Sequence, residues 1–247
     1  MRQPLPEFPR ARGVFITGTD TGVGKTAVAG ALARVLASFG HAVGVFKPIA
    51  TGCQLRREGL VSQDAEFLAH CSGTSSPLAD IAPVRYAQPL TPAVAAEMAR
   101  RPVDWDHLRQ SYEWVTKAHD FTVVEGIGGV LAPLARGVLV ADLMVALALP
   151  VVVAAPSRLG AISQALLSLE ACRSRGLEVL GVVINGYRAD GGEPAEETNP
   201  RVIAAYGRTR VLAIIPYDGG TCVENGLLGA EVLAAMRLTN WAEVLGL

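Results

Sequence analysis

At 247 residues, half of them hydrophobic and 18% charged, the chain holds enough apolar material for a sheet covered on both faces in a single domain spanning 1–247. Its 22 basic and 23 acidic residues nearly cancel. That excludes the long-range field that would draw it onto nucleic acid or anionic lipid, so any anion it binds must be held locally.

Residues 1–12 contain Pro4, Pro6 and Pro9 and no apolar h-region, so they read as a flexible lead-in and not as a secretory signal. Val14 to Thr17 follows as a short, apolar, β-branched run, the first buried strand. Directly after it stands Gly18-Thr19-Asp20-Thr21-Gly22-Val23-Gly24-Lys25-Thr26, which satisfies G-x-x-x-x-G-K-[ST] in the strand-to-helix setting that the motif requires. Glycines let successive N–H groups approach phosphate oxygens, and the helix start adds to the attraction. Lys25 is then placed for the β- and γ-phosphates of a nucleoside triphosphate, and the Thr26 hydroxyl for magnesium. Val28, Leu32, Val35, Leu36 and Phe39 keep helical spacing up to Gly40, a residue suited to a left-handed cap.

Ala42 to Phe46 is the second strand, followed by Lys47-Pro48-Ile49-Ala50-Thr51-Gly52 and, farther on, by Ser62-Gln63-Asp64. An aspartate near a helix start serves equally well as a cap. Phe121 to Val124 forms the third strand and ends on Glu125, a carboxylate that is costly there unless a metal or hydrogen-bond donors meet it. Gly126-Ile127-Gly128-Gly129 comes next. The apolar run from Leu143 to Ala155 falls short of the ~20 residues that span a bilayer and is broken by Pro150; its end, Val151 to Ala155, is a strand. Ile162 to Arg175 reads as a helix stopped by Gly176, Val179 to Ile184 and Val211 to Ile215 as the last strands, and Gly191 to Pro200 as a mobile polar loop. Asn185-Gly186 is as naturally a turn as a site. Cys53, Cys71, Cys172 and Cys222 are scattered without a C-x-x-C pair, which argues against zinc and disulfides and for a reducing, cytoplasmic setting.

Strands alternating with helices predict an α/β fold of the P-loop NTPase type, a doubly wound, mostly parallel sheet with helices on both faces. Chemistry should then gather at the carboxyl ends of the strands.

From about Val14 to Glu224 the ordered motifs G-T-D-T-x-V-G-K-T, K-P-x-x-[ST]-G, a downstream aspartate and V-E-G-x-G-G resemble the dethiobiotin synthetase family. The resemblance implies an ATP- and magnesium-dependent cyclo-ligase. In that family 7,8-diaminopelargonate takes up carbon dioxide as a carbamate, ATP phosphorylates it to a carbamic-phosphoric anhydride, and the second amine closes a cyclic urea with release of ADP and phosphate. Carried onto this sequence, Lys47 and Lys25 are catalytic, and Thr26, Asp64 and Glu125 hold Mg2+. Nucleotide contacts fall to Gly22, Val23, Gly24, Lys25, Thr26, Ala27, Asp64, Glu125, Gly126, Ile127, Gly128, Asn185, Gly186, Pro216, Tyr217, Asp218 and Glu224, with a small insertion between Pro216 and Glu224. Substrate contacts fall to Thr21, Thr51, Gly160, Ala161, Ile162 and Ser163, and the last four serve the partner subunit of a homodimer whose site lies at the interface. Ser163 and Gln164 stand where Asn and His are usual in the family, Ala93 where a histidine is common, and Gly22 where some members have glutamate. Lys47→Ala is expected to abolish ring closure while largely sparing the fold.

Three other readings are weighed. A partitioning-type P-loop ATPase switch carries an extra lysine early in its loop, where this chain has Thr19-Asp20-Thr21-Gly22, and its membrane-targeting helix has no counterpart between Glu231 and Leu247. A cobyrinate-type amidating ligase needs a fused glutaminase domain for which the chain has no room. An ATP-binding module without turnover would show no ATP consumption dependent on diamine and bicarbonate.

Overall fold

The computed structural model describes residues 5–189 and 193–247. Six strands form the central sheet: β1 (Gly13–Gly18), β2 (Val43–Phe46), β3 (Phe121–Glu125), β4 (Val151–Pro156), β5 (Val179–Tyr187) and β6 (Val211–Pro216). They lie in the order β6-β5-β4-β1-β3-β2, and every neighbouring pair is parallel. Between and after them run α1 (Lys25–Ser38), α2 (Gln63–Ser72), α3 (Leu78–Ile81), α4 (Pro92–Met98), α5 (Trp105–Ala118), α6 (Val140–Leu147), α7 (Ala161–Arg173), α8 (Pro194–Gly207), α9 (Ala230–Arg237) and α10 (Trp241–Leu245).

Strand side chains alternate between two cores because successive residues point to opposite faces. Val14 and Ile16 of β1 and Val152 and Ala154 of β4 pack with α1, α2 and Trp241 of α10. Phe15 of β1 and Val151 and Val153 of β4 pack with α5, α6 and α7 on the opposite face. Burying both faces requires strands that are apolar throughout, which is why the central strands read as continuous runs in the sequence. No helix among the described residues is long and apolar enough to cross a membrane.

The glycine stops act as the sequence suggests. After α1, Gly40 adopts φ 90°, its N–H donates to the Ala37 carbonyl, and the His41 N–H reaches back to Leu36. Gly176 (φ 70°) and Leu177 repeat this arrangement on Arg173 and Cys172. Both pairs satisfy carbonyls that a helix end would otherwise leave bare.

Three expectations are corrected. The lead-in is anchored in its described part: Phe8 is buried and meets the Tyr112 ring edge-on at 5.8 Å, and an aromatic ring burying itself in the core outweighs the entropy of a terminal segment. The polar stretch after Gly191 is helical from Pro194, because Pro194 fits a first helical turn and Ile203 gives α8 a buried side; Gly191 itself lies outside the described residues. Finally, β5 does not end at Ile184. It continues through Asn185 and Gly186 to Tyr187, with a register irregularity opposite β6 between Asn185 and Tyr187 that Gly186 (φ 81°) absorbs.

Candidate functional site

The parallel order puts β1, β3 and β2 side by side, so the segments leaving them meet at one edge. After β1 the chain turns through Gly22 (φ 75°) and Gly24 (φ 88°) before α1 begins at Lys25. A side chain at Gly24 would overlap the Asn185 amide, whose Nδ2 donates to the Val23 carbonyl at 3.1 Å. Close approach and positive φ together make glycine the fitting residue there. The Lys25 stem lies over Gly18, where a Cβ would be 2.9 Å from its methylenes, and its ammonium donates to the Asp20 carbonyl at 2.7 Å.

Lys47 follows β2 and points inward, only 2% exposed. Its ammonium donates to Glu125 Oε1 at 2.6 Å and to the Gly126 carbonyl at 3.3 Å, and it sits 2.8 Å from Asp64 Oδ2. The Thr26 hydroxyl donates to the same Glu125 Oε1 at 2.8 Å. Ser62, not Asp64, caps α2, accepting from the Ala65 N–H at 3.2 Å, which leaves the Asp64 carboxylate, 37% exposed, to face the lysine. Glu125 ends β3 and is 1% exposed; its second oxygen, Oε2, is buried without a hydrogen-bond partner.

Burial and charge shape the protonation of this group. Burial pulls the Lys25 ammonium down to about 8 against the attraction of Glu125. Burial also opposes charge on Lys47, but Asp64 and Glu125 together override it and hold the ammonium above its ordinary value. The Lys47 charge holds the Asp64 carboxyl below its usual range. For Glu125, burial pushes the carboxyl up in spite of Lys47.

Beside the cluster opens a cleft of about 780 Å³. Thr19, Asp20 and Thr21 of the β1 turn, Thr51, and Ile127 to Ala132 line it, together with Pro89 to Pro92 and one side of α7. Leu90, Leu131 and Leu167 face both the cleft and solvent.

The predicted residues thus fall into separate groups. Gly22 to Ala27, Lys47, Asp64, Glu125 and Gly126 gather at the cluster, with Asn185 tied to its loop; Thr21, Thr51, Ile127 and Gly128 line the cleft. Gly160, Ala161, Ile162 and Ser163 open α7 but are not among the residues lining their own chain's cleft. Glu224 sits against the start of α2, where Gln63 Nε2 donates to its carbonyl at 3.5 Å, while Pro216 ends β6 and Tyr217 and Asp218 follow it. There the Arg188 guanidinium covers the Tyr217 ring at 4.3 Å. Both Asp218 oxygens accept backbone N–H groups, of Gly220 and Glu231. Sequence reasoning missed the cleft walls at Thr19, Leu90, Leu131 and Leu167, because isolated leucines carry no periodic signal of a cavity.

A family model described as an AAA domain matches residues 12–222. The chain is 36% identical to the ATP-dependent dethiobiotin synthetase BioD of Thermodesulfovibrio yellowstonii over 83% of this chain and 88% of that one. To the enzyme of the same name from Anaeromyxobacter dehalogenans it is 39% identical over 92% and 99%. Among solved structures, the septum site-determining protein MinD of Pyrococcus horikoshii, complexed with Mg-ADP, superposes with a TM-score of 0.57 at 16% identity, over 95% of this chain and 98% of that one. That likeness shows the P-loop α/β fold alone. By sequence match over most of its length, the chain belongs to the family of ATP-dependent dethiobiotin synthetases.

Proposed function

We propose that the protein, as one P-loop domain over residues 1–247, closes the cyclic urea of dethiobiotin from 7,8-diaminopelargonate, carbon dioxide and ATP. The observation that carries this reading is the buried Lys47 ammonium between Asp64 and Glu125, placed where the nucleotide loop meets the cleft. A carbamate oxygen attacking a γ-phosphate brings anions together, and cations already fixed at that point stabilise the charge without reorganisation. Lys25 serves the phosphates, while Lys47 serves the carbamate and the transferring phosphoryl group. Because Lys47 is held above its ordinary pKa, it stays charged and acts as an electrostatic clamp, not as a base.

Thr26, Asp64 and Glu125 suit Mg2+, which favours a hydroxyl and carboxylates among its hard oxygen ligands. The buried, unpartnered Glu125 Oε2 is an oxygen in need of a cation or donor. Bound there, the ion would offset charge on the β- and γ-phosphates. Gly22 to Ala27, Gly126, Ile127 and Gly128 complete the phosphate side, and Asn185, Gly186, Pro216, Tyr217, Asp218 and Glu224 the base side. Thr21 and Thr51 take the diamine end of the substrate. The α7 start at Gly160 to Ser163, which no side chain caps, presents N–H groups suited to a carboxylate. Following the family resemblance, these four residues serve the cleft of the partner in a homodimer, and their place outside their own chain's cleft is compatible with that role. The exposed leucines at the cleft rim support such a covering surface. The reading places the enzyme in the cytoplasm, without nucleic-acid or membrane partners.

Incubation with diaminopelargonate, bicarbonate, ATP and magnesium, with each omitted in turn, should give the cyclic urea by mass spectrometry only in the complete mixture. Sedimentation should show a dimer; a fully active monomer would remove the shared site.

A further inference from the structure

Two polar groups in the cleft have no use in the folded chain. Thr19 Oγ1, just after β1, and Gln164 Oε1, in the first turn of α7, are each buried from solvent without a hydrogen-bond partner, and both residues line the cleft. The Gln164 backbone is already satisfied: its N–H donates to the Gly160 carbonyl at 3.3 Å, and its carbonyl accepts from the Ser168 hydroxyl at 2.8 Å. What remains buried without a partner is the side-chain oxygen. Glutamine is long enough to carry its amide into water, so an acceptor kept dry and unpaired has an unmet demand for a donor.

The chemistry of the two atoms narrows what can meet them. An amide oxygen only accepts, so its complement bears an N–H or O–H; a carboxylate or phosphate offers it nothing. A threonine hydroxyl accepts as well as donates. Around them the lining is largely apolar, with Pro89, Leu90, Val130, Leu131 and Leu167. The fitting occupant is an aliphatic chain carrying amine groups.

We propose that Thr19 and Gln164 select for the amines: they accept hydrogen bonds from the N–H groups of the diamino acid and set its affinity without taking part in phosphoryl transfer. This inference rests on the dethiobiotin reading for the identity of the ligand. Its test compares wild type with Gln164→Leu, which keeps the bulk and removes the acceptor, and Gln164→Glu, which keeps an acceptor. In Gln164→Leu the KM for diaminopelargonate should rise about tenfold or more with the KM for ATP unmoved, the scale expected for one hydrogen bond to an amine. Gln164→Glu should stay within about threefold of wild type, and Thr19→Val should add to the effect of Gln164→Leu. A Gln164→Leu enzyme with an unaltered diamine KM, or with both KM values raised alike, overturns the proposal.

Calorimetric titration with diaminopelargonate separates this from the activity itself. Wild-type protein that binds the diamine, makes no cyclic urea, and loses affinity about tenfold in Gln164→Leu would defeat the assigned reaction and keep the inference. Wild-type protein that makes the urea while Gln164→Leu binds the diamine as tightly would do the reverse.

Discussion

The two ends of the proposed nucleotide site are built differently. At the phosphate end, where β1, β2 and β3 finish, Lys25, Lys47 and Glu125 are all buried and linked by contacts of 2.6–2.8 Å with Asp64, Thr26 and Asp20. At the base end, after β5 and β6, Tyr217 is 59% exposed, Glu224 is on the surface, and Asp218 spends both oxygens on backbone N–H groups. Buried charges fixed before the ligand arrives can stabilise a transition state. Exposed side chains that still have to be ordered contribute to affinity at most. Rate should therefore depend on the first region and nucleotide preference on the second.

The largest effect should come from Lys47→Ala. Loss of one fixed cation at the reacting centre is worth about 10³-fold in kcat, or ~4 kcal/mol, read by the rate of cyclic urea formation. The structure also alters what the sequence led us to expect of folding. Removing Lys47 strands Glu125, 1% exposed, without its ion-pair partner, and breaking a buried pair in this way costs about 3–5 kcal/mol. Thermal denaturation should show this loss in Lys47→Ala, and the double variant Lys47→Met/Glu125→Gln should recover much of it while remaining inactive. A Lys47→Ala protein as stable as wild type would mean that the Glu125 carboxyl is neutral in the folded chain and that the phosphate end is less charged than drawn.

That revision marks how far the sequence could be read. The strands and the covering of both sheet faces were legible because strands buried on both sides must be apolar throughout, and the phosphate loop because its glycines and lysine have few other uses; the order of the strands in the sheet was not. The ion-pair geometry was not. Lys47 is separated from Glu125 by 78 residues, and no local pattern reports that two loops meet. Asp64 was ambiguous for a concrete reason: a helix start accepts either a serine or an aspartate as its cap, and only the hydrogen bond from the Ala65 N–H to the Ser62 hydroxyl shows that the Asp64 carboxylate is left for Lys47. Asn185 misled in another way. Asn-Gly favours turns, yet pairing of β5 with both β4 and β6 holds it in a strand. The cleft was hidden because its leucines come from separate loops and from α7.

A smaller effect follows from the pH dependence of the phosphate end. The Lys25 ammonium is pulled down to about 8 in the free protein, and a triphosphate beside it raises that value. A group whose pKa rises on binding contributes fully below its free-state pKa and loses that contribution as pH climbs through it. ATP affinity should therefore hold steady up to about pH 7 and fall roughly tenfold by pH 9, with proton uptake on binding at the higher pH. Calorimetry in buffers of different ionisation enthalpy measures both. Proton release, or no pH dependence over this range, would place the Lys25 pKa elsewhere and weaken the view of a desolvated phosphate end.

The smallest effect tests the joint between the two regions. Asn185 is on the base side by position, yet its amide donates to Val23 in the phosphate loop and fills the space that a side chain at Gly24 would need. Asn185→Ala removes one neutral hydrogen bond and leaves the Val23 carbonyl without it, about 1 kcal/mol, so ATP should bind roughly fivefold more weakly with kcat nearly unchanged. If Asn185 only reads the base, the loss should vanish when the probe is inorganic triphosphate. If it braces the loop, triphosphate binding should weaken by the same factor. Equal weakening is the outcome we expect, because the hydrogen bond to Val23 exists without any base present, and it would shift the boundary between the rate-setting and affinity-setting halves of the site from the β1–β4 edge to Asn185 itself.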